Sequence, residues 1–228
     1  MCPAAFDDLW VVIPAYNEAS VIGQVLAEVT KVFPHVCVVD DSSTDSTGSE
    51  VQRYADQGVR LVTHPVNLGQ GAALQTGFEY VLMDPLMTRV VTFDADGQHL
   101  VSDAVRLAQR LNDGFDVVLG SRFLGTAPQM GKLKRLVLRL AVAYTNLSVH
   151  LKLTDTHNGL RALSRTAVEQ MQLTQEGMAH ATEILDRIKR HSLRYTEEPV
   201  EIHYSAYSRS KGQSVLNAVN ILVDLLVK

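Results

Sequence analysis

Short runs of Val, Ile, Leu and Phe recur along the first 120 residues, and each gives way to a stretch with helical spacing. Residues 9–14, 35–40, 59–63, 89–94 and 116–120 are nearly continuous in large apolar side chains, the pattern of strands covered on both faces. Between them, 19–32, 46–57, 71–83 and 100–112 carry the spacing of helices that pack by one side. This alternation predicts an α/β fold, a mostly parallel sheet flanked by helices with right-handed crossovers. Ligands of such sheets bind beyond the carboxyl ends of the strands.

The polar residues collect at those ends. The first strand runs into Pro14-Ala15-Tyr16-Asn17-Glu18, and the second into Asp40-Asp41-Ser42-Ser43-Thr44-Asp45. After the third comes His64-Pro65-Val66-Asn67-Leu68-Gly69-Gln70-Gly71, and after the fifth Gly120-Ser121-Arg122. Each loop alone has an ordinary reading: Thr44 or Asp45 can cap the next helix, and Gly69 and Gly71 can serve a turn. Several polar loops on one sheet edge are harder to assign to turns alone.

The fourth strand supplies the most informative segment, Val90-Val91-Thr92-Phe93-Asp94-Ala95-Asp96-Gly97-Gln98-His99. In extended chain, residues i and i+2 point the same way, so Asp94 and Asp96 can share one ligand. Two hard oxygen donors suit Mg²⁺ or Mn²⁺ that also holds a diphosphate. Gly97 lets the backbone turn, and Gln98 adds a neutral polar group beside the pair.

Composition narrows the class. The chain has 228 residues, 46% of them hydrophobic, which fits one large domain with a sizeable core. A formal net charge of −4 argues against a nucleic-acid-coating protein. Cys2 and Cys37 make a disulfide framework improbable and fit a reducing compartment. No signal peptide is expected, nor a transmembrane helix, which needs about 18 consecutive apolar residues.

In order and combination, Ile13-Pro14-Ala15-Tyr16-Asn17-Glu18, Val39 to Asp45, Asn67-Leu68-Gly69-Gln70-Gly71-Ala72-Ala73, Asp94 to His99, Gly120-Ser121-Arg122 and Asp155-Thr156-His157-Asn158-Gly159-Leu160-Arg161 resemble the family 2 glycosyltransferases of GT-A fold. The resemblance is to the branch with dolichyl- and polyprenyl-phosphate mannosyl- and glucosyltransferases, and it covers about residues 9 to 213. It implies a single domain over 1–228, with a nucleotide-binding part at about 9–122 and an acceptor part at about 123–228. It also implies roles. Pro14, Tyr16, Glu18 and Ala95 would line the nucleotide pocket, and Asp41 would accept hydrogen bonds from the base. Asn67 and Gly71 would let the backbone pass close to the nucleotide. Asp94 and Asp96, with Gln98, would hold Mg²⁺ or Mn²⁺ on the diphosphate of a UDP- or GDP-linked sugar. Tyr207-Ser208-Arg209-Ser210-Lys211-Gly212 resembles the family's flexible basic loop, with Arg209 and Lys211 closing on the diphosphate.

The acceptor decides the mechanism. A sugar hydroxyl needs a general base, whereas a lipid phosphate is already an anion and needs cations. Arg122 is the first candidate cation, followed by Arg135 and Arg139, with Gln98 nearby. The last two lie in 132–151, where Leu133, Leu136, Val137, Leu140, Ala141 and Tyr144 share one predicted helix side while Lys132, Arg135 and Arg139 lie elsewhere. Residues 214–228 repeat the amphipathic pattern. If the acceptor is a hydroxyl, Asp155 is the candidate base; if a phosphate, it orients the donor sugar or an arginine such as Arg161. Glu183, on a predicted helix at 179–191, reads equally well as a surface carboxylate.

The expectation is therefore an inverting, metal-dependent enzyme that loads a polyprenyl phosphate. It would be cytoplasmic and peripheral on the inner face of the membrane, attached interfacially or through a small membrane partner protein. A hydroxyl-directed glycosyltransferase and a non-catalytic nucleotide-sugar-binding protein are the alternatives. A phosphoacceptor signalling domain is excluded, since it would need a lone Asp ending the third strand and a Lys ending the fifth, where Thr63-His64 and Ser121-Arg122 stand. A nucleotidyltransferase would carry a basic Gly-rich loop in place of Pro14-Ala15-Tyr16-Asn17-Glu18.

Overall fold

The structure, a computed structural model, describes residues 6–126, 132–177 and 179–203, without the side chains of 132–134. The described strands form one seven-stranded sheet in the order β3-β2-β1-β4-β6-β5-β7. They are β1 (Leu9–Ala15), β2 (His35–Asp40), β3 (Val59–Thr63), β4 (Arg89–Thr92), β5 (Val117–Thr126), β6 (Arg161–Ser164) and β7 (Tyr195–Glu201). β1 to β4 are mutually parallel where they pair, and β7 runs parallel to β5. Only β6 runs against its neighbours, β4 and β5.

Helices cover both faces, as the strand composition requires. They are α1 (Ile22–Val29), α2 (Thr47–Gln52), α3 (Gln70–Leu82), α4 (Val101–Arg110), α5 (Lys132–Val149), α6 (Arg165–Gln170) and α7 (His180–Arg190). Alternate residues of β1 enter opposite cores: Leu9, Val11 and Ile13 pack with α1 and α4, and Trp10 and Val12 with α3 and α7. Each buried Leu or Ile contributes about 1.5–3 kcal/mol by leaving water, so a strand buried throughout is strongly held.

The chain builds outward from β1 through β2 to β3, then returns to place β4 on the other side of β1. A crevice opens where such an order reverses. It is flanked here by the loops after β1, β2 and β4, where the polar motifs lie.

Several boundaries differ from the pattern-based expectation. β4 stops at Thr92, so Asp94 and Asp96 lie in the loop rather than at the strand end. Phe93 N still donates to Val12 O, and the chain leaves the sheet after that bond. β5 continues through Arg122 to Thr126, so that arginine sits within a strand. The predicted apolar side of α5 is divided between core and solvent. Leu138, Ala141, Val142, Thr145 and Val149 are buried, while Leu136, Leu140, Tyr144 and Leu147 are exposed. No described helix is long and apolar enough to cross a membrane. Arg209, Lys211 and the 214–228 stretch lie outside the described residues.

Candidate active site

A cavity of about 570 Å³ occupies the crevice. The loops of β1, β2 and β4 contribute Glu18, Asp41, Asp94 and Asp96 to its lining. Arg122 comes from β5, Arg161 from β6, Leu138 from α5, His180 and Ala181 from α7, and His157 from the loop before β6. Pro14, Tyr16, Asn67, Ala95 and Gln98 also line the cavity.

One end of the cavity is organised by Asp41. This buried carboxylate accepts from Leu68 N at 2.8 Å and Gly69 N at 2.7 Å, which folds the loop after β3 against β2. His64 Nδ1 lies 2.7 Å from Asp41 Oδ1, and its Nε2 lies 2.9 Å from Thr76 Oγ1 on α3. Asp41 thus holds the loop as well as facing the cavity. His64 drew no attention in the sequence, because the residues it joins are 23 and 12 positions away. Asn17, at φ 54°, accepts from Thr44 N and donates its own N–H to Ser43, tying the loops of β1 and β2 together.

Gly71 faces protein. A Cβ there would come within 1.9 Å of Gln175 O, and Gly71 N donates to Glu176 O at 2.7 Å. The absent side chain therefore lets the 175–176 loop close on the start of α3. That loop is in turn pinned by Glu183, which accepts from Thr174 N, Thr174 Oγ1 and Gln175 N. Burial raises the Glu183 carboxyl, yet these bonds and Arg187 hold it below its ordinary value.

Asp94 is held from several directions. His99 Nε2 lies 2.9 Å from Oδ2, and Gln70 Nε2 donates to Oδ1 at 3.3 Å. The carboxylate rests on Gly159, where a Cβ would come within 2.1 Å of Oδ2. Gly159 is itself fixed by Thr92 Oγ1, which donates to its carbonyl at 2.6 Å. Burial works to raise the Asp94 carboxyl, but the hydrogen bond and charge of His99, with Arg161, keep it below the usual carboxylate range. Burial pushes Asp96 the other way, up to about 6, and the charge of Asp94 adds to the shift.

Such a pair calls for a cation. Among the described residues no three His, Cys, Asp or Glu side chains cluster to hold an ion unaided. Two carboxylates completed by substrate phosphates are the ordinary way to bind Mg²⁺, so the donor set fits. Gln98 turns its amide nitrogen to Asp96 Oδ2. A half-turn of that amide would present its carbonyl oxygen in the same place, so it can join the set.

Arg122 is held by an ion pair. Arg122 Nε donates to Asp155 Oδ2 at 2.6 Å, and its Nη2 donates to His157 O at 2.8 Å. Asp155 Oδ2 also accepts from Arg122 N, and Oδ1 from His157 N. Glu197 supports the same loop, accepting from Thr154 N and Asp155 N. Arg161 is buried between Asp94 and Asp155, whose charges offset the burial that lowers its guanidinium. Burial pushes both His157 and His180 down to about 4; Arg122 and Arg161 add to the effect at His157, and Arg161 at His180, so both rings are neutral near pH 7. Arg135 and Arg139 are exposed on α5, with Arg139 5.7 Å from the ring of Phe123.

A crevice at the topological switch of this sheet, lined by both carboxylates and arginines, belongs to a GT-A fold. The profile described as "Glycosyl transferase family 2" matches residues 10–172, and the chain belongs to that family. It is 30% identical over 243 residues to the UDP-N-acetylglucosamine–dolichyl-phosphate N-acetylglucosaminyltransferase of Methanococcus voltae, covering 96% of this chain and 95% of that protein. It is 32% identical over 208 residues to the dolichyl-phosphate hexose transferase of Haloferax volcanii, covering 88% of this chain and 85% of that one. Among solved structures it resembles glucosyl-3-phosphoglycerate synthase from Mycobacterium tuberculosis in complex with Mn²⁺, UDP-glucose and phosphoglyceric acid. The TM-score is 0.64 at 20% identity, over 95% of this chain and 79% of that one.

Proposed function

We propose that this glycosyltransferase moves a sugar from a nucleoside-diphosphate donor to a polyprenyl phosphate, inverting the anomeric carbon once, at the inner surface of a membrane. One observation carries the choice of acceptor. The cavity lining includes Arg122 and Arg161, and its described carboxylates are Glu18, Asp41, Asp94 and Asp96 from the loops of β1, β2 and β4, which the donor and its cation would occupy. A hydroxyl acceptor would need a further base, and a phosphate acceptor needs the cations that are present. Asp155 has both oxygens engaged by Arg122 and the 157 amide, so it acts as the support of Arg122. His157 and His180, at about 4, are weak bases near neutral pH.

In this reading residues 1–228 act as one unit, with the donor part at about 9–122 and the acceptor part beyond it. Glu18, Tyr16, Asn67 and the Asp41-organised loop hold the nucleotide. Arg122 positions the acceptor so that a phosphate oxygen attacks C1 of the sugar. The C1–O bond to the donor diphosphate breaks, its electron pair leaves with the nucleoside diphosphate, and no proton need move. Mg²⁺ or Mn²⁺, bound by Asp94 and Asp96 with Gln98, would neutralise charge on that leaving group.

The exposed side of α5 supports a surface location. Leu136, Leu140 and Leu147 stand out beside Arg135 and Arg139, the mixture of apolar and cationic groups that suits a lipid headgroup boundary. The two dolichyl-phosphate transferases among the relatives point to the same acceptor class. In this reading α5 itself makes the membrane contact, without a partner protein.

Nucleoside-diphosphate release tests the proposal. Purified protein with Mg²⁺ or Mn²⁺ is offered UDP- and GDP-sugars with and without undecaprenyl phosphate. Lipid-dependent release is expected. Release that requires a sugar hydroxyl and ignores the lipid phosphate would overturn it.

A further inference from the structure

We propose that His180 reads one hydroxyl of the donor sugar through its Nε2, as a hydrogen-bond acceptor, and so helps set which sugar is transferred. The inference deepens the transferase reading above and rests on it. It begins with the tautomer. His180 Nδ1 lies 2.8 Å from the carbonyl oxygen of Gly177, which can only accept, so Nδ1 carries the hydrogen. Burial keeps the ring uncharged near neutral pH, and Nε2 is then a bare lone pair that can accept and cannot donate.

The ring is also held still. It sits on the first turn of α7, 3% exposed, with its Cβ packed so closely on α3 that a side chain at Gly71 would come within 2.8 Å of it. His180 forms part of the cavity wall, yet Nε2 makes no hydrogen bond to any described residue. A polar nitrogen fixed at a binding surface and left without a donor is a group waiting for ligand.

The ligand group follows from the neighbours. Asp94 and Arg161 line the same cavity and act on His180 electrostatically. A phosphate oxygen brings lone pairs toward the bare Nε2 and is turned away. A sugar hydroxyl brings the missing donor. The metal-binding pair would hold the diphosphate, so the group that reaches α7 belongs to the attached sugar.

The test compares His180→Phe, which keeps a ring and loses the acceptor, with His180→Gln, which restores an acceptor. Donors are UDP-glucose, UDP-N-acetylglucosamine, UDP-galactose and GDP-mannose, each beside its monodeoxy forms. Wild type should disfavour one deoxy position by about 10- to 100-fold in kcat/KM, the size expected when a buried polar group loses its partner. His180→Phe should abolish that one discrimination, His180→Gln should recover part of it, and affinity for UDP or GDP alone should stay within about twofold. Equal losses for parent and every deoxy donor, or an equal loss of bare nucleotide affinity, would reduce His180 to a structural residue and overturn the proposal. If wild type turned over no donor, the transferase reading would fail on its own. Calorimetric affinities of the same donors would then decide the His180 claim by the same pattern.

Discussion

Two groups of side chains line the cavity and are held in different ways. The loops of β1, β2 and β4 gather Glu18, Asp41, Asp94 and Asp96 at the ends of parallel strands. Burial, with the charge of Asp94, pushes Asp96 up to about 6. β5 and β6 contribute Arg122 and Arg161, the first paired with Asp155 and the second acted on by the charges of Asp94 and Asp155. In the proposed reading a cation from outside completes the carboxylates, while the partners of the arginines aim them. Removing a carboxylate should therefore abolish chemistry, while removing a partner of the arginines should misdirect it.

The sharpest break of that contrast is Asp96→Asn. Losing a metal ligand forfeits several kcal/mol of transition-state stabilisation, so turnover should fall on the order of 10³-fold with the fold intact. Near-full activity with an unchanged metal requirement would remove Asp96 from the site.

Gly159→Ala comes next. Its Cβ would collide with the Asp94 carboxylate, and a displacement of about 1 Å at a reacting centre costs on the order of 10² in rate. Unfolding measured alongside would expose a merely unstable variant.

Asp155→Asn tests the support of the arginines. It leaves Arg122 without its counter-charge, and the expected loss is about 10- to 100-fold in kcat/KM for the lipid phosphate, with nucleotide affinity unchanged. A bell-shaped pH profile in wild type, losing its acidic limb in the variant, would instead make Asp155 a general base.

Smaller still is the membrane contribution. Arg135→Gln and Arg139→Gln should each weaken binding to anionic vesicles by about fivefold, the effect of about 1 kcal/mol per charge. Equal binding by wild type and the double variant would make α5 an ordinary surface helix.

The gentlest probe is pH without metal. His157 and His180 stay neutral to about 4 in the folded protein and titrate near 6.5 when unfolded. Between those values the unfolded state binds more protons, so their contribution is full above about 6.5 and is lost as pH falls toward 4. Asp96 opposes them, because the folded state holds its proton up to about 6 against an ordinary 3.8. Two groups outweigh one, and Tm should fall by a few degrees, at about 2–4 °C per kcal/mol, between pH 7.5 and 5. Added Mn²⁺ should raise Tm more at pH 7.5 than at pH 5, where Asp96 must first release a proton. A Tm that rises on acidification would show that the histidines are not buried neutral.

How much of this was legible beforehand varies with the element. Residues 9–14 and 35–40 read as strands because unbroken apolar runs leave no other placement, and β1 and β2 occupy them almost to the residue. β6 was missed because four residues, Arg161 to Ser164, are too short to show a period. β7 was missed because Tyr195-Thr196-Glu197-Glu198-Pro199-Val200-Glu201 carries an edge-strand composition rather than an apolar run. α5 was legible as a helix, but its inward side was not. It is apolar on more than one side, and periodicity cannot rank two apolar faces.

Local chemistry was therefore decided by sequence alone: the alternation that makes an α/β sheet, the carboxylates at Asp94 and Asp96, and the order of motifs that marks the family. Those depend on residues close in the chain, whose geometry the backbone dictates. The partners of His64, His99, Asp155, Arg161 and His180 were decided only by tertiary structure. Each acts through a partner on another element, or across the cavity, and only the closed sheet brings them together. Charge and hydrogen bonding act over a few ångströms of space, whatever the separation along the chain.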